Sequence, residues 1–122
     1  MSSELKTSTR RIGRAVVCVL AGDLHQGTAD QAQHALDAAL AELPDVLAVD
    51  LSGIELLASG GLNTLLRART AAADRTVPTV LVAPSTGARR VLELTDTAEL
   101  FPVYATAEEA ARHRERPTAS GR

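Results

Sequence analysis

The sequence predicts an α/β fold: a mixed, mainly parallel sheet of four to five strands with about four helices. Three observations carry that prediction. Short apolar runs alternate along the chain with longer segments whose apolar positions recur at helical spacing. The runs are rich in β-branched residues and apolar on both faces, as in strands of a parallel sheet. The connections between them are punctuated by Gly, Pro and Ser, so each strand is followed by a helix that crosses back to the next.

In order along the chain, Leu5 to Arg10 alternates weakly, and Ile12-Gly13 offers a turn that pairs this first strand antiparallel with the second. Ala15 to Ala21 is a continuous apolar run, predicted to be a strand buried on both sides. Gly22–Gly27 reads as a loop. Thr28 is placed to cap a helix, with Gln31 completing a capping box. Ala32, Ala35, Leu36, Ala39, Leu40 and Leu43 then form one stripe, opposite Asp30, Gln33, Asp37 and Ala41, and Pro44 stops the helix. Val46 to Leu51 is the next strand; Ser52-Gly53 breaks it and Ile54 to Leu57 continues irregularly. Ser59-Gly60-Gly61 opens a second helix with Leu62, Leu65, Leu66, Ala72 and Ala73 inward and Arg67 and Thr70 outward. Thr79 to Val82 is a strand entered through Pro78. Ser85 is an N-cap for a helix whose inner face is Ala88, Val91, Leu92 and Thr95. Phe101 to Tyr104 is a short last strand, placed at a sheet edge by Pro102. Thr106 and Glu109 form a second capping box for a helix ending near His113. Residues 1–113 therefore read as one domain, and the polar, charged stretch 114–122 as a disordered tail.

Composition excludes several functions. The chain has 122 residues, enough for a real core, and a net charge of −2 that disfavours electrostatic nucleic-acid binding. Aromatics are 2% of the chain, too few to stack the bases of a single strand. One cysteine rules out a disulfide framework or a thiolate zinc cluster. Cys18 sits within an apolar run and reads as a small core hydrophobe. His25, His34 and His113 each lack a second ligand type at metal spacing and read as surface residues. The longest apolar stretch, Ala15 to Ala21, is far short of the roughly 20 residues that span a bilayer, and Met1 to Arg11 holds no signal-like apolar block. A small cytoplasmic domain is expected, with no cofactor, no metal and no membrane insertion. Arg67, Arg69, Arg89 and Arg90 read as solvated helix faces.

The loops Gly22–Gly27, Ser52–Gly60 and Ala83–Ser85 each leave the carboxyl end of a parallel strand, so they gather at one end of the sheet. In open α/β sheets that end is where ligands and partners bind.

The stretch from Val49-Asp50-Leu51-Ser52-Gly53 through Ala58-Ser59-Gly60-Gly61-Leu62 to Leu66 resembles the signature of STAS domains, the family of bacterial anti-sigma factor antagonists. There a strand ending in Asp-Leu-Ser-Gly leads into Asp-Ser-Ser-Gly or Asp-Ser-Thr-Gly and a leucine-rich helix. Ala21-Gly22-Asp23-Leu24-His25 resembles the family's Gly-Glu-Leu-Asp loop. Arg90 to Thr95 and Leu100 to Val103 resemble its C-terminal third, so the likeness covers about Leu5 to Ala111. The resemblance implies a STAS-type fold and a partner, an anti-sigma factor of the serine-kinase type, which phosphorylates the helix-opening serine or threonine. The unmodified antagonist binds that kinase and releases a sigma factor; the phosphorylated form does not bind. Physically, a phosphate at a helix N-terminus is stabilised by unpaired backbone N–H groups and the macrodipole. It also sets roughly −1.5 to −2 charges in the middle of a docking surface. Uncompensated in a closed interface, such charge costs about 3–5 kcal/mol, or roughly two to three orders of magnitude in affinity.

The sequence departs from the family pattern at its switch. The family's aspartate is Ala58, its first serine is Ser59, and its second hydroxyl residue, the one most often modified, is Gly60. The loop aspartate is His25. Either Ser59 takes over as acceptor or the domain is not switched by phosphorylation. The candidate partner-binding residues are Asp23, His25, Thr28, Ala58, Ser59, Gly60, Gly61, Leu62, Asn63 and Arg67. On local grounds alone Ser59 reads as a helix N-cap, and Gly60-Gly61 as a flexible turn. Ser59-Gly60-Gly61 lacks the lysine and glycine spacing of a P-loop, and nucleotide binding there is not expected. An enzyme is not expected either, because Asp23, His25, Glu55 and Ser59 offer no third group to orient a base. The expected protein is a monomer or weak dimer. The alternative within the same fold is an accessory subunit of a membrane transport complex of the lipid-exporting ABC type.

Overall fold

The computed structural model describes residues 4–114, so the tail expected at 114–122 lies almost wholly outside the described residues. Five strands form one sheet in the order in which they occur: β1 (Lys6–Ile12), β2 (Ala15–Leu24), β3 (Val46–Leu57), β4 (Thr79–Val82) and β5 (Val103–Tyr104). β1 runs antiparallel to β2 through a turn in which Gly13 takes φ +57°, and every later pair is parallel. Three helices join the parallel strands, α1 (Ala29–Ala41), α2 (Ser59–Ala73) and α3 (Thr86–Leu94), and α4 (Ala107–Ala111) follows β5.

Parallel strands added in one direction by crossovers of one hand place every connecting helix on one face of the sheet. The packing follows that rule. Val16, Cys18, Leu20, Leu47, Val49, Leu51 and Leu81 pack beneath Leu36, Leu40, Leu65, Ala68, Ala88 and Leu92 of α1, α2 and α3. Ala15, Val17, Ala48, Val80 and Val82 point to the other face, where Ala107 and Ala110 of the short α4 cover them. β2 is thus buried on both sides as its apolar run predicts.

Several boundaries differ from the sequence reading. β2 runs three residues further, through Gly22, Asp23 and Leu24. β3 does not stop at Ser52-Gly53. Val19 pairs with Asp50 but Ala21 pairs with Gly53, so β3 carries an extra residue there, and a second where Gly22 pairs with Ile54 and Asp23 with Leu56. Asp50 stabilises the first bulge by accepting from both the N–H (2.9 Å) and the hydroxyl (2.7 Å) of Ser52. Leu43, expected to close the α1 stripe, is exposed with φ +58°, because α1 ends at Ala41 and the chain turns before Pro44. In α2 Ala68 is buried in place of Ala73, which is exposed. Thr95 is the exposed C-cap of α3, donating to Val91 O at 2.7 Å, and does not join its inner face. Arg69 is half-buried and donates to Leu100 O at 2.9 Å; Arg67, Arg89 and Arg90 are exposed as expected. β5 is shorter than expected and sits at the edge, just after Pro102.

Candidate functional site

The carboxyl ends of β2 and β3 lie side by side. Leu24 pairs with Leu57, and the amide of Ala58 donates to Leu24 O at 3.0 Å, so the two strands deliver their following segments to one rim. After β2 the chain makes a 3-10 turn, Gln26–Thr28, before α1 begins. After β3 it enters α2 directly.

The 3-10 turn carries the capping box that sequence assigns to Thr28 and Gln31. His25 is its N-cap: Nδ1 accepts from the Gly27 amide at 2.9 Å, and the His25 amide donates to Thr28 Oγ1 at 3.1 Å. Thr28 Oγ1 in turn donates to Asp23 O at 2.8 Å. Thr28 therefore holds the loop shut and does not cap α1 through its side chain, while Gln31 reaches Leu5 O at 2.8 Å. His25 is a structural cap and not merely a surface residue. His113 is likewise half-buried, with Nδ1 2.6 Å from the Tyr104 hydroxyl; His34 is exposed.

The N-cap of α2 is Ala58, with φ −112° and ψ 173°, and it supplies no side-chain acceptor. Ser59 is the first helical residue, not the cap, and its side chain is exposed. Gly60 is fixed by packing more than by flexibility. A Cβ there would stand 2.8 Å from both Cα and N of Gln26, so the 3-10 turn occupies the space that any side chain would need. A Cβ on Gly61 would come within 2.6 Å of Leu24 Cγ. The two glycines let α2 seat directly on the segment that leaves β2.

Of the sequence-predicted residues, Ser59, Asn63 and Arg67 follow one another at single-turn spacing along α2 and are all exposed. Asp23, His25, Thr28, Ala58 and Gly60 are half-buried at the rim beside them. Gly61 and Leu62 are buried, Leu62 within the core, so they support this face without presenting a group on it. Sequence reasoning missed Gln26, which lies over Gly60, and Leu56, whose side chain is 48% exposed opposite Asp23 in the register. Leu56 is signalled only by the second β3 bulge, which breaks the alternation that would have buried it. A shallow groove of about 430 Å³ continues along α2 between Asn63, Leu66, Arg67 and Thr70. Cys18 lies far from this chemistry, fully buried, and burial pushes its thiol up from 9.0 to about 12. Among the described residues no group of His, Cys, Asp and Glu could hold a metal, and no helix is long and apolar enough to cross a membrane.

A sheet with its connecting helices on one face and two junction loops locked into a continuous rim defines a class: a small mixed α/β domain that presents Ser59, Asn63 and Arg67 at its strand carboxyl ends. The chain belongs to the STAS domain family, whose model matches residues 6–110. No curated protein sequence matches it. Among solved structures it is similar to an anti-sigma factor antagonist from Mycobacterium paratuberculosis, at 27% identity and TM-score 0.76, covering 90% of this chain and 95% of that one. The anti-sigma factor antagonist SpoIIAA of Bacillus, in its unphosphorylated form, shares 20% identity at TM-score 0.72, covering 86% and 92%. A sulfate transporter family protein from Wolinella succinogenes shares 17% identity at TM-score 0.71, covering 84% and 85%. The last two show the fold alone.

Proposed function

We propose that this domain is an anti-sigma factor antagonist: a cytoplasmic module of bacterial transcription regulation that docks on an anti-sigma factor of the serine-kinase type and thereby releases a sigma factor. It acts by binding and performs no reaction of its own; His25 already uses Nδ1 to hold its own turn. The observation that carries the reading is the rim itself, where Ser59, Asn63 and Arg67 stand exposed on α2 beside the turn locked by His25 and Thr28. The similarity to the mycobacterial antagonist, over nearly the whole of both chains, supports it.

The regulation differs from the family pattern. SpoIIAA is known in both an unphosphorylated and a phosphorylated form. Here the second hydroxyl position is Gly60, closed by Gln26, so the rim works as a constitutive docking surface. Co-purification with the serine-kinase anti-sigma factor encoded nearest to this chain tests the docking, with binding expected in the presence of either ATP or ADP. Mass spectrometry after incubation with that kinase and ATP tests the constitutive reading. A phosphate on Ser59 refutes it while leaving the docking intact. Recovery of transporter subunits in place of a kinase instead supports the accessory-subunit role, for which the sulfate transporter likeness offers fold alone.

A further inference from the structure

The geometry points to a second site at the opposite, amino-terminal end of the parallel strands: a cleft for a small anion carrying two or more phosphate groups, held by Arg14, Arg75, Arg112 and Arg114. These arginines come from three separate places, the β1–β2 turn, the residue after the α2 C-cap Asp74, and the end of α4, and only the fold brings them together. They line one open cleft of about 1110 Å³, somewhat larger than the roughly 300–1,000 Å³ of small-molecule pockets, whose walls include Pro44, Val77 and Pro78.

The ordinary reading of arginines at helix C-termini is that they complement the macrodipole or bond the last carbonyls. Arg11 does so, donating to Glu42 O just beyond α1 at 2.8 Å, and Arg69 similarly holds Leu100 O. Arg75, Arg112 and Arg114 do not. Among the described residues, no hydrogen bond or ion pair engages their guanidinium groups. Among the described residues the cleft's one carboxylate is Asp45, paired with Arg14 at 3.2 Å through side chains 60% and 86% exposed, an open contact that a stronger anion can displace. General basicity does not explain the cluster, because the whole chain carries −2.

Guanidinium forks match phosphate oxygens bidentately. Three unspent forks exceed what one monoanion can satisfy, which selects a ligand with several phosphate charges. Being at the far end of the sheet from Ser59, this site can be filled while the docking rim is occupied, and it stands whether or not the anti-sigma reading holds.

The test is calorimetric titration of the full chain with inorganic pyrophosphate at low ionic strength, set beside sedimentation with vesicles containing a phosphatidylinositol bisphosphate. The expected result is saturable one-to-one binding of pyrophosphate, weakened at least about tenfold in Arg75→Gln/Arg112→Gln. Arg89→Gln/Arg90→Gln, which removes the same charge from exposed positions of α3, should change it by less than about twofold. Vesicle capture that is lost in the first pair, without a pyrophosphate signal, assigns the phosphates to a lipid headgroup at the same cleft. Absence of both signals overturns the site, and so does equal weakening by the two pairs. Thermal melts of both pairs establish that each is folded.

Discussion

Single side chains at the junction of β3 and α2 have separable roles. Ser59 is exposed at the first helical position and makes no capping bond, so Ser59→Ala should change stability by less than about 0.5 kcal/mol in urea unfolding. An N-cap serine would have cost about 0.5–2 kcal/mol. Ala58 has the extended backbone of a cap without its acceptor, and Ala58→Ser should raise stability by roughly 0.5–1 kcal/mol. Gly60→Ser must push the Gln26 backbone aside and should cost about 1–3 kcal/mol, so restoring the family's hydroxyl strains the rim before it restores a switch. Cys18 tests burial chemically. Its folded-state thiol is raised from 9.0 to about 12, so the folded chain keeps a proton that the unfolded chain loses. Its contribution is intact below 9.0 and is lost as pH climbs from there toward 12. Urea midpoints measured between pH 8 and 10.5 should fall more steeply for the wild type than for Cys18→Ala, and native Cys18 should stay inert to thiol reagents.

The elements whose patterns are simple were legible: the apolar run of β2, the stripe of α1, the Ser85 cap of α3 (3.2 Å to the Ala88 amide) and the Thr106 cap of α4 (3.1 Å to the Glu109 amide) all follow from local rules. The rim was legible in position but not in construction. Gly22 and Ser52-Gly53 read as breaks, yet strand pairing carries the backbone through both, and bulges absorb the extra residues. Thr28 reads as the cap of α1 because threonine caps are common; here His25 outcompetes it by capping the 3-10 turn, leaving Thr28 to bond Asp23 O. The cap bonds are local, two and three residues apart, but histidine is not among the usual cap residues, and only the tertiary structure shows that the turn lies on Gly60. His25→Ala should therefore speed amide exchange of Gly27 and Thr28 and cost about 0.5–1.5 kcal/mol, whereas His34→Ala on exposed α1 should do neither.

At the scale of the molecule, sequential strand order forces the helices of all three parallel crossovers onto one face and leaves the short α4 to cover the other. The two ends of the sheet consequently differ in kind. The carboxyl end carries uncharged and single-charge groups, Ser59, Asn63 and Arg67, on a rigid helix; the amino end gathers arginines from three segments. If the rim is the docking face, charge placed there must act far more strongly than the same charge elsewhere, because a rim group becomes desolvated on binding while a distant one remains solvated. Ser59→Asp and Arg67→Glu should each weaken capture of the serine-kinase anti-sigma factor by at least about tenfold, with melting behaviour close to wild type because both side chains are exposed. Arg75→Gln/Arg112→Gln, at the far end, should leave capture within about twofold. Measured by surface binding at fixed ionic strength, the reverse ranking would move the docking face to the arginine end and dissociate this domain from the role its rim suggests.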